Sequence, residues 1–135
     1  MSCYVDISKI PNAGRGLFAS EDFKKDDVIC YNYSWDIDYH TVLSMQETMN
    51  NIMDITFSNP DKKLHRLLII GKLAFVNHSI DSNAVVDWKN SNIGYIGILY
   101  ATKNIKKREE IFINYNRHTN GKGVVKQNLN KVLFA

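Results

Sequence analysis

Two short segments carry the residue types that can perform chemistry. Residues 75–83 read FVNHSIDSN, so an asparagine, a histidine and a serine follow an apolar pair, and residues 109–115 read EEIFINY. Imidazole and carboxylate groups act as general acids and bases, and a tyrosine hydroxyl can stabilise developing charge. These two segments are therefore the candidate site.

Each of these groups also has an ordinary structural interpretation. The triplet at residues 77–79 can be a polar turn that satisfies backbone groups, and Tyr115 can be one of seven tyrosines placed in strands. Glu109 and Glu110 can be a solvated turn or an acid/base pair, but adjacent strand residues face opposite sides, which favours a structural role. No cysteine or histidine partner lies at the spacing of a zinc site, so no metal is predicted.

A glycine pair at residues 14–16, Gly-Arg-Gly, precedes both segments. Such a pair usually marks only a tight turn. Glycine also lets a backbone approach a ligand closely, so the turn is a second candidate for binding. The sequence after it does not predict a helix, which argues against a dinucleotide-binding turn.

The pattern around these segments is that of a β-rich domain. Apolar residues recur at spacings of three, four and seven over residues 39–53, which predicts a helix, and residues 64–71 suggest a second helical or irregular segment. Turn signals separate runs of strand composition at residues 4–7, 17–19, 28–33, 84–88, 93–100 and 111–113. The fold class predicted is mainly β with a short helical insert. The runs at residues 84–88 and 93–100 are expected to form a hairpin around residues 89–92.

Composition limits the classes of function. The chain has 135 residues, a net charge of +3 and 44% hydrophobic residues, as expected for one globular domain over residues 1–135. The short basic run at residues 106–108 is followed at once by acidic residues, so direct nucleic-acid binding is not expected. Cys3 and Cys30 form neither a disulfide framework nor a zinc motif and are expected to be reduced thiols. Without a signal peptide or a membrane-length apolar stretch, the protein is expected to be intracellular, in the nucleus or cytoplasm, with no membrane association.

Taken in order, the three motifs resemble those of the SET-domain protein lysine methyltransferases, in particular minimal, viral-type, single-domain members. That family has a Gly-x-Gly turn, then Asn-His-Ser-x-x-Pro-Asn, then Gly-Glu-Glu-Leu-x-x-x-Tyr. The resemblance covers about residues 3–116. It implies small curved β-sheets with a knot-like active site. The domain would consist of an N-terminal part (residues 3–38), a variable insert that forms part of the substrate groove (39–66), a C-terminal part (67–116) and a tail (117–135).

The resemblance also implies the reaction and the residues that carry it. S-adenosylmethionine would donate a methyl group through a narrow channel to a neutral lysine amine, and Tyr115 would be the catalytic tyrosine. The cofactor-binding positions implied are Arg15, Gly16, Phe18, Asn77, His78, Tyr115 and Phe134. The substrate-channel positions implied are Tyr31, Ile113 and Val86. Tyr31 can equally be a core strand residue.

Two positions depart from the family pattern. Arg108 stands where glycine usually precedes the two glutamates, and Ser82 stands where proline usually precedes Asn83. Neither change replaces a reacting group, but both place the local turn geometry in question. Ile113 and Val86 carry no hydroxyl to hold a water in the channel, so we expect room for more than one methyl group.

The resemblance favours a histone tail as the protein substrate, and a non-histone protein remains open. A minimal domain of this kind can complete its site by forming a homodimer. The main rival is a catalytically weak SET-like module that binds a peptide without turnover. A small basic nucleic-acid-binding β-domain is less favoured, because the basic residues are scattered and no aromatic platform accompanies them.

Overall fold

The computed structural model describes residues 2–49 and 56–116, in which strands are the predominant secondary structure. The helical elements are α1 (Tyr39–Thr48) and a 3-10 helix (Lys72–Phe75). The strands are β1 (Cys3–Ile7), β2 (Arg15–Ala19), β3 (Val28–Ile37), β4 (Thr56–Ser58), β5 (Arg66–Ile69), β6 (Asn77–His78), β7 (Ala84–Ser91), β8 (Gly94–Ala101) and β9 (Glu110–Ile113).

The strands form two sheets. The smaller sheet has the order β1-β2-β9-β6, in which β9 is antiparallel to β2 and parallel to β6. The larger sheet has the order β4-β5-β3-β8-β7 and is antiparallel throughout. Consequently β9 brings the C-terminal motif between the glycine turn that starts β2 and the Asn-His segment that forms β6.

The main hydrophobic core lies between the two sheets. Leu17 and Ile111 of the smaller sheet and Leu99 of the larger one are completely buried in a single cluster, together with Leu73 of the 3-10 helix. A second cluster of Val85, Ile96, Ile98 and Tyr100 occupies the opposite face of the larger sheet. The two clusters follow from the alternation of side chains along β7 and β8.

Several elements predicted from the sequence are confirmed. Helix α1 begins at Tyr39, after Asp38 accepts a hydrogen bond from the Thr41 N–H at 2.8 Å and so caps the first turn. The predicted end of this helix, residues 50–53, lies outside the described residues. The β7–β8 hairpin is also present, but its turn contains only residues 92 and 93, because the strands pair as far as Ser91 and Gly94. Gly94 has a φ of 104°, which favours glycine in this tight turn.

The expectation of a second helical or irregular segment at residues 64–71 is wrong in its centre. Residues 66–69 form β5, which pairs with both β3 and β4. Leu67 is fully buried while Leu68, opposite Trp35, is only partly buried, an alternation that belongs to a strand. Two neighbouring strands satisfy the backbone of this segment, and that tertiary pairing outweighs its helix-like leucine spacing.

Among the residues that the structure describes, no helix has the length and apolar character needed to cross a membrane.

Candidate active site

The parallel pairing of β6 with β9 brings the two sequence motifs together. Asn77 lies opposite Phe112, and His78 lies opposite Ile113. The loop after β6 continues along the same strand, since the Ser79 N–H donates to the Ile113 carbonyl at 3.0 Å and the Asn83 N–H donates to the Phe112 carbonyl at 3.2 Å. The end of β9 therefore delivers Tyr115 directly to the Asn-His-Ser segment.

Tyr115 contacts the Asn-His-Ser segment and the residue before it through both its backbone N–H and its side-chain hydroxyl. Its backbone N–H donates to His78 Nδ1 at 3.0 Å, and its hydroxyl donates to the Val76 carbonyl at 2.8 Å. The Tyr115 and His78 rings lie 5.0 Å apart with an interplanar angle of 45°. Since 51% of Tyr115 is exposed, a large substrate can reach this residue from solvent.

Asn77 joins this segment to the glycine turn. Its Nδ2 donates to the Arg15 carbonyl at 3.0 Å and to Glu110 Oε2 at 3.3 Å. The Arg15 guanidinium lies over the Phe75 ring, 4.7 Å from the ring centroid, in a cation–π arrangement. Three chain segments that are distant in sequence thus form one polar corner beside Tyr115.

A buried carboxylate holds this corner together. Glu110 is only 5% exposed and accepts hydrogen bonds from the Ser8 hydroxyl at 2.7 Å and the Lys9 N–H at 2.8 Å, in addition to that from Asn77. A Cβ atom added to Gly16 would collide with Glu110 Oε2, so only glycine leaves room for this carboxylate. The neighbouring Glu109 is exposed. The two adjacent glutamates therefore have separate surroundings, and Glu110 is part of the framework.

Asn83 fixes the position of β9 with both atoms of its side-chain amide. Its Nδ2 donates to the Glu110 carbonyl at 3.0 Å, and its Oδ1 accepts from the Phe112 N–H at 2.8 Å. The side chain thus replaces a strand partner along this part of β9. Asn83, the last residue of the Asn-His-Ser-x-x-x-Asn motif, therefore holds the backbone of β9 in place.

Arg108 adopts a φ of 76°, a left-handed conformation in which glycine has no steric penalty. Its backbone N–H donates to the Ala19 carbonyl at 2.8 Å, which sets the entry to β9. The turn that glycine usually makes in the family is therefore formed here by an arginine. Departure from the motif at this position does not disrupt the pairing of β2 and β9.

The remaining predicted residues lie at various depths. Phe18 is 4% exposed and stacks on Tyr4 with ring centroids 5.6 Å apart. Ile113 and Val86 are buried in the main core cluster. Tyr31 packs instead against the second cluster on the other face of the larger sheet, so the structure does not group it with those two residues. Phe134 lies outside the described residues.

Sequence reasoning gave no functional role to Glu110, Asn83 or Phe75. Glu110 stands directly before an apolar strand run, but alternation places it on the face opposite the core residues Ile111 and Ile113, so no local signal in the sequence predicted its burial. The cation–π contact between Phe75 and Arg15 had no local signal, because sixty residues separate the two in sequence.

Comparison with known proteins identifies the chain's relatives. The family model for the SET domain matches residues 14–116. A histone-lysine N-methyltransferase of Mycosarcoma maydis, specific for H3 lysine 36, is 33% identical over 118 residues, which cover 83% of this chain and 12% of that protein. The chain therefore spans only a small part of the length of this relative.

Solved structures give the same result for the fold. A crystal structure of a candidate histone methyltransferase from Plasmodium falciparum has a TM-score of 0.71 and 28% identity, covering 87% of this chain and 95% of that one. A structure of the Chaetomium thermophilum polycomb repressive complex 2, autoinhibited and bound to S-adenosylmethionine, has a TM-score of 0.74 and 22% identity, covering 98% of this chain and 16% of that one. At that lower identity the likeness concerns the fold alone.

Proposed function

Because the chain belongs to the SET-domain family, we propose that it is a protein-lysine N-methyltransferase that uses S-adenosylmethionine. The observation that carries this proposal is the assembly of the three motifs at one place. Tyr115 is hydrogen-bonded to His78, and Asn77 is hydrogen-bonded to Arg15 of the glycine turn. The positions to which the resemblance assigns catalysis and cofactor binding therefore lie close together, which supports the proposal.

The polar corner has the donors and acceptors that the amino-acid end of S-adenosylmethionine requires. Both described hydrogen bonds of the Asn77 amide use its Nδ2, so within the described residues its Oδ1 is left to accept from an ammonium group. When bound, the cofactor supplies a methyl group activated by a positively charged sulfonium. Arg15, Gly16, Phe18 and His78 are the other residues proposed to line this pocket.

Tyr115 is the proposed catalytic residue. Its hydroxyl hydrogen points to the Val76 carbonyl, so the hydroxyl oxygen can act as an acceptor for the incoming amine or the polarised methyl group. Groups held in advance at the position of transfer lower the barrier by orientation and by electrostatic stabilisation. The lysine amine must arrive uncharged, and an apolar channel beside a sulfonium disfavours its ammonium form.

The channel residues bear on the number of methyl groups. Ile113 and Val86 are buried and have no hydroxyl to bind a water, which supports the addition of more than one methyl group. Tyr31 remains a proposed channel residue, although its side chain packs on the other face of the larger sheet. Products from a single substrate lysine would show directly whether mono-, di- or trimethylation occurs.

Histone tails are the proposed substrates. The Mycosarcoma maydis relative is named for a histone lysine, and the candidate enzyme from Plasmodium falciparum is also described as acting on histones. Action on histones would require access to chromatin.

The test is transfer of labelled methyl groups from S-adenosylmethionine to core histones, with modified lysines located by mass spectrometry. Tyr115→Phe, which keeps the aromatic ring and removes only the hydroxyl, should reduce transfer at least about 100-fold and weaken cofactor binding far less. Tyr33→Phe removes the hydroxyl from another exposed tyrosine and should leave transfer unchanged. Asn77→Ala should weaken cofactor binding itself.

Equal transfer by the wild type and by Tyr115→Phe would remove Tyr115 from the mechanism. Cofactor binding without transfer to any histone or lysate protein would favour the rival peptide-binding module over an enzyme.

A further inference from the structure

The two asparagine side chains of the Asn-His-Ser-x-x-x-Asn motif use their amides differently. Asn83 uses both amide atoms on the backbone of β9. Asn77 uses only its Nδ2, which donates to the Arg15 carbonyl at 3.0 Å and to Glu110 Oε2 at 3.3 Å. Of these two amides, only that of Asn77 keeps an atom, its Oδ1, without a partner among the described residues.

Two acceptors fix the orientation of the Asn77 amide. A carboxylate oxygen and a backbone carbonyl oxygen only accept hydrogen bonds, so the amide atom that faces both of them must be the nitrogen. A reversed amide would place its oxygen against two other oxygens. The hydrogen bond to Glu110 is also charge-assisted and is therefore the stronger constraint by type. Glu110 thus keeps the Asn77 Oδ1 directed away from itself.

The Glu110 carboxylate does not depend on Asn77 for its own position. Its Oε1 accepts from the Lys9 N–H at 2.8 Å, and its Oε2 accepts from the Ser8 hydroxyl at 2.7 Å. The side chain is buried, and the absence of a Cβ at Gly16 provides the space that it occupies. The amide of Asn77 therefore adapts to a carboxylate that other parts of the chain hold in place.

We propose that Glu110 is a positioning residue for cofactor binding, because it leaves the Asn77 Oδ1 to accept a hydrogen bond from the ammonium group of S-adenosylmethionine. This inference rests on the proposed function. An ammonium group carries only donors, so it binds an amide oxygen and is repelled by an amide NH2 group. Glu110 itself does not contact the cofactor in this arrangement and acts only through Asn77.

The substitution Glu110→Gln tests the orientation with little change of shape. The Lys9 N–H is a backbone donor, so the glutamine keeps its oxygen there and presents its NH2 group to Ser8 and Asn77. The Ser8 hydroxyl can turn and accept, but the Asn77 Nδ2 cannot. Asn77 should then lose this contact or turn its oxygen inward, and in both cases its Oδ1 is no longer held for the ammonium group.

The orientation can be measured without cofactor by NMR on the whole chain. The side-chain NH2 signal of Asn77 is identified by its loss in Asn77→Ala. In the wild type, its hydrogens should exchange with water more slowly than those of the exposed Asn90, because Nδ2 is hydrogen-bonded to two acceptors. Glu110→Gln should remove this protection, while the backbone amide spectrum shows that the variant is folded.

Calorimetry with S-adenosylmethionine measures the effect on binding. We expect Glu110→Gln to weaken binding about 10-fold or more, as for the loss of a hydrogen bond to a charged group. Added to Asn77→Ala, the same substitution should change affinity by less than about twofold, because Glu110 would act only through Asn77. Glu109→Gln, at the neighbouring exposed position, should bind like the wild type.

Three results would overturn the inference while leaving the proposed function intact. These are unchanged Asn77 protection in Glu110→Gln, wild-type affinity in that variant, and full additivity of Glu110→Gln with Asn77→Ala, which would indicate a general structural role. A wild-type protein that binds no S-adenosylmethionine would contradict the proposed function itself and this inference with it.

Discussion

The region around β9 and the insert that follows β3 are held in place by different kinds of contact. Around β9, the buried Glu110 carboxylate accepts a hydrogen bond from the distant Ser8 hydroxyl, and the Asn83 side chain donates one to the Glu110 carbonyl. In the insert, α1 buries only Val42, and the loop before β5 is attached to Asp36 by hydrogen bonds from Asn59 and His65, both at 2.9 Å. Asp36 and His65 are partly exposed.

The difference suggests that the region around β9 is rigid and that the insert is adaptable. Buried hydrogen bonds without access to water tolerate little displacement, which suits the proposed site, where a methyl donor and acceptor would have to align. Polar contacts near the surface cost little to rearrange. The insert, to which the family resemblance assigns part of the substrate groove, is therefore the part of the domain that can change while the contacts around β9 stay fixed.

The strongest test of this comparison is the removal of the buried carboxylate. Glu110→Ala would leave the Ser8, Lys9 and Asn77 donors without their acceptor, and we expect a loss of about 3 kcal/mol in the free energy of unfolding. Glu109→Ala, at the adjacent exposed position, should change it by no more than about 0.5 kcal/mol. Urea denaturation measures both values, and similar losses for the two variants would contradict a framework role specific to Glu110.

The attachment of the insert should depend on pH. Burial acts to raise the pKa of Asp36, but hydrogen bonds from Asn59 and His65 and the charges of His65 and Lys62 outweigh it, so the pKa lies below its ordinary value of 3.8. A lowered carboxyl pKa contributes stability above the unfolded-state value and loses it as pH falls through the folded-state value. Asp36→Asn should therefore lower the free energy of unfolding by about 1 kcal/mol at pH 6 and by less at pH 3, as measured by urea denaturation at the two pH values.

The control for this prediction is Asp81→Asn. Asp81 pairs with Lys103 at 2.9 Å, but its side chain is 92% exposed, so its removal should have almost no effect at either pH. An Asp36→Asn loss that stays constant from pH 6 to pH 3 would mean that the carboxylate charge does not hold the insert.

The smallest expected effect concerns the entry to β9. Arg108→Gly should relieve the strain of a left-handed φ, partly offset by the greater freedom of glycine in the unfolded chain, and raise the unfolding free energy by about 0.5 kcal/mol. Lys107→Gly, one position earlier, has no positive φ to relieve and should lower stability by a similar amount. Thermal unfolding of the two variants should shift in opposite directions. A shift in the same direction would show that the conformation of residue 108 does not limit the stability of this turn.

The sequence was informative about local elements and about the order of motifs. Alternation and turn residues predicted the β7–β8 hairpin, spacing predicted the start of α1, and the motif resemblance predicted that Tyr115 would lie beside Asn77 and His78. Each of these expectations rests on neighbours in the chain or on a pattern shared with a family.

What the sequence did not reveal depends on pairings between distant segments. Leu64, Leu67 and Leu68 have helix-like spacing, and only the neighbouring strands make that segment β5. From the sequence, Glu109 and Glu110 are compatible with a solvated turn. Only the folded chain brings β2 and Ser8 next to Glu110. Likewise, Cys3 and Cys30 appear unrelated until β1 and β3 face the same core.

The position of β9 between β2 and β6 has a consequence for how the chain matures. During translation, β2 and β6 are synthesised before residues 110–113. Until β9 is made, one edge of β2 therefore stays unpaired and β6 has no partner strand in the smaller sheet. Pairings between distant segments form slowly, and exposed strand edges favour aggregation. Of the strands in residues 2–49 and 56–116, the last to be synthesised is thus the one that closes the sheet, and only a chain translated past Tyr115 can acquire the proposed site.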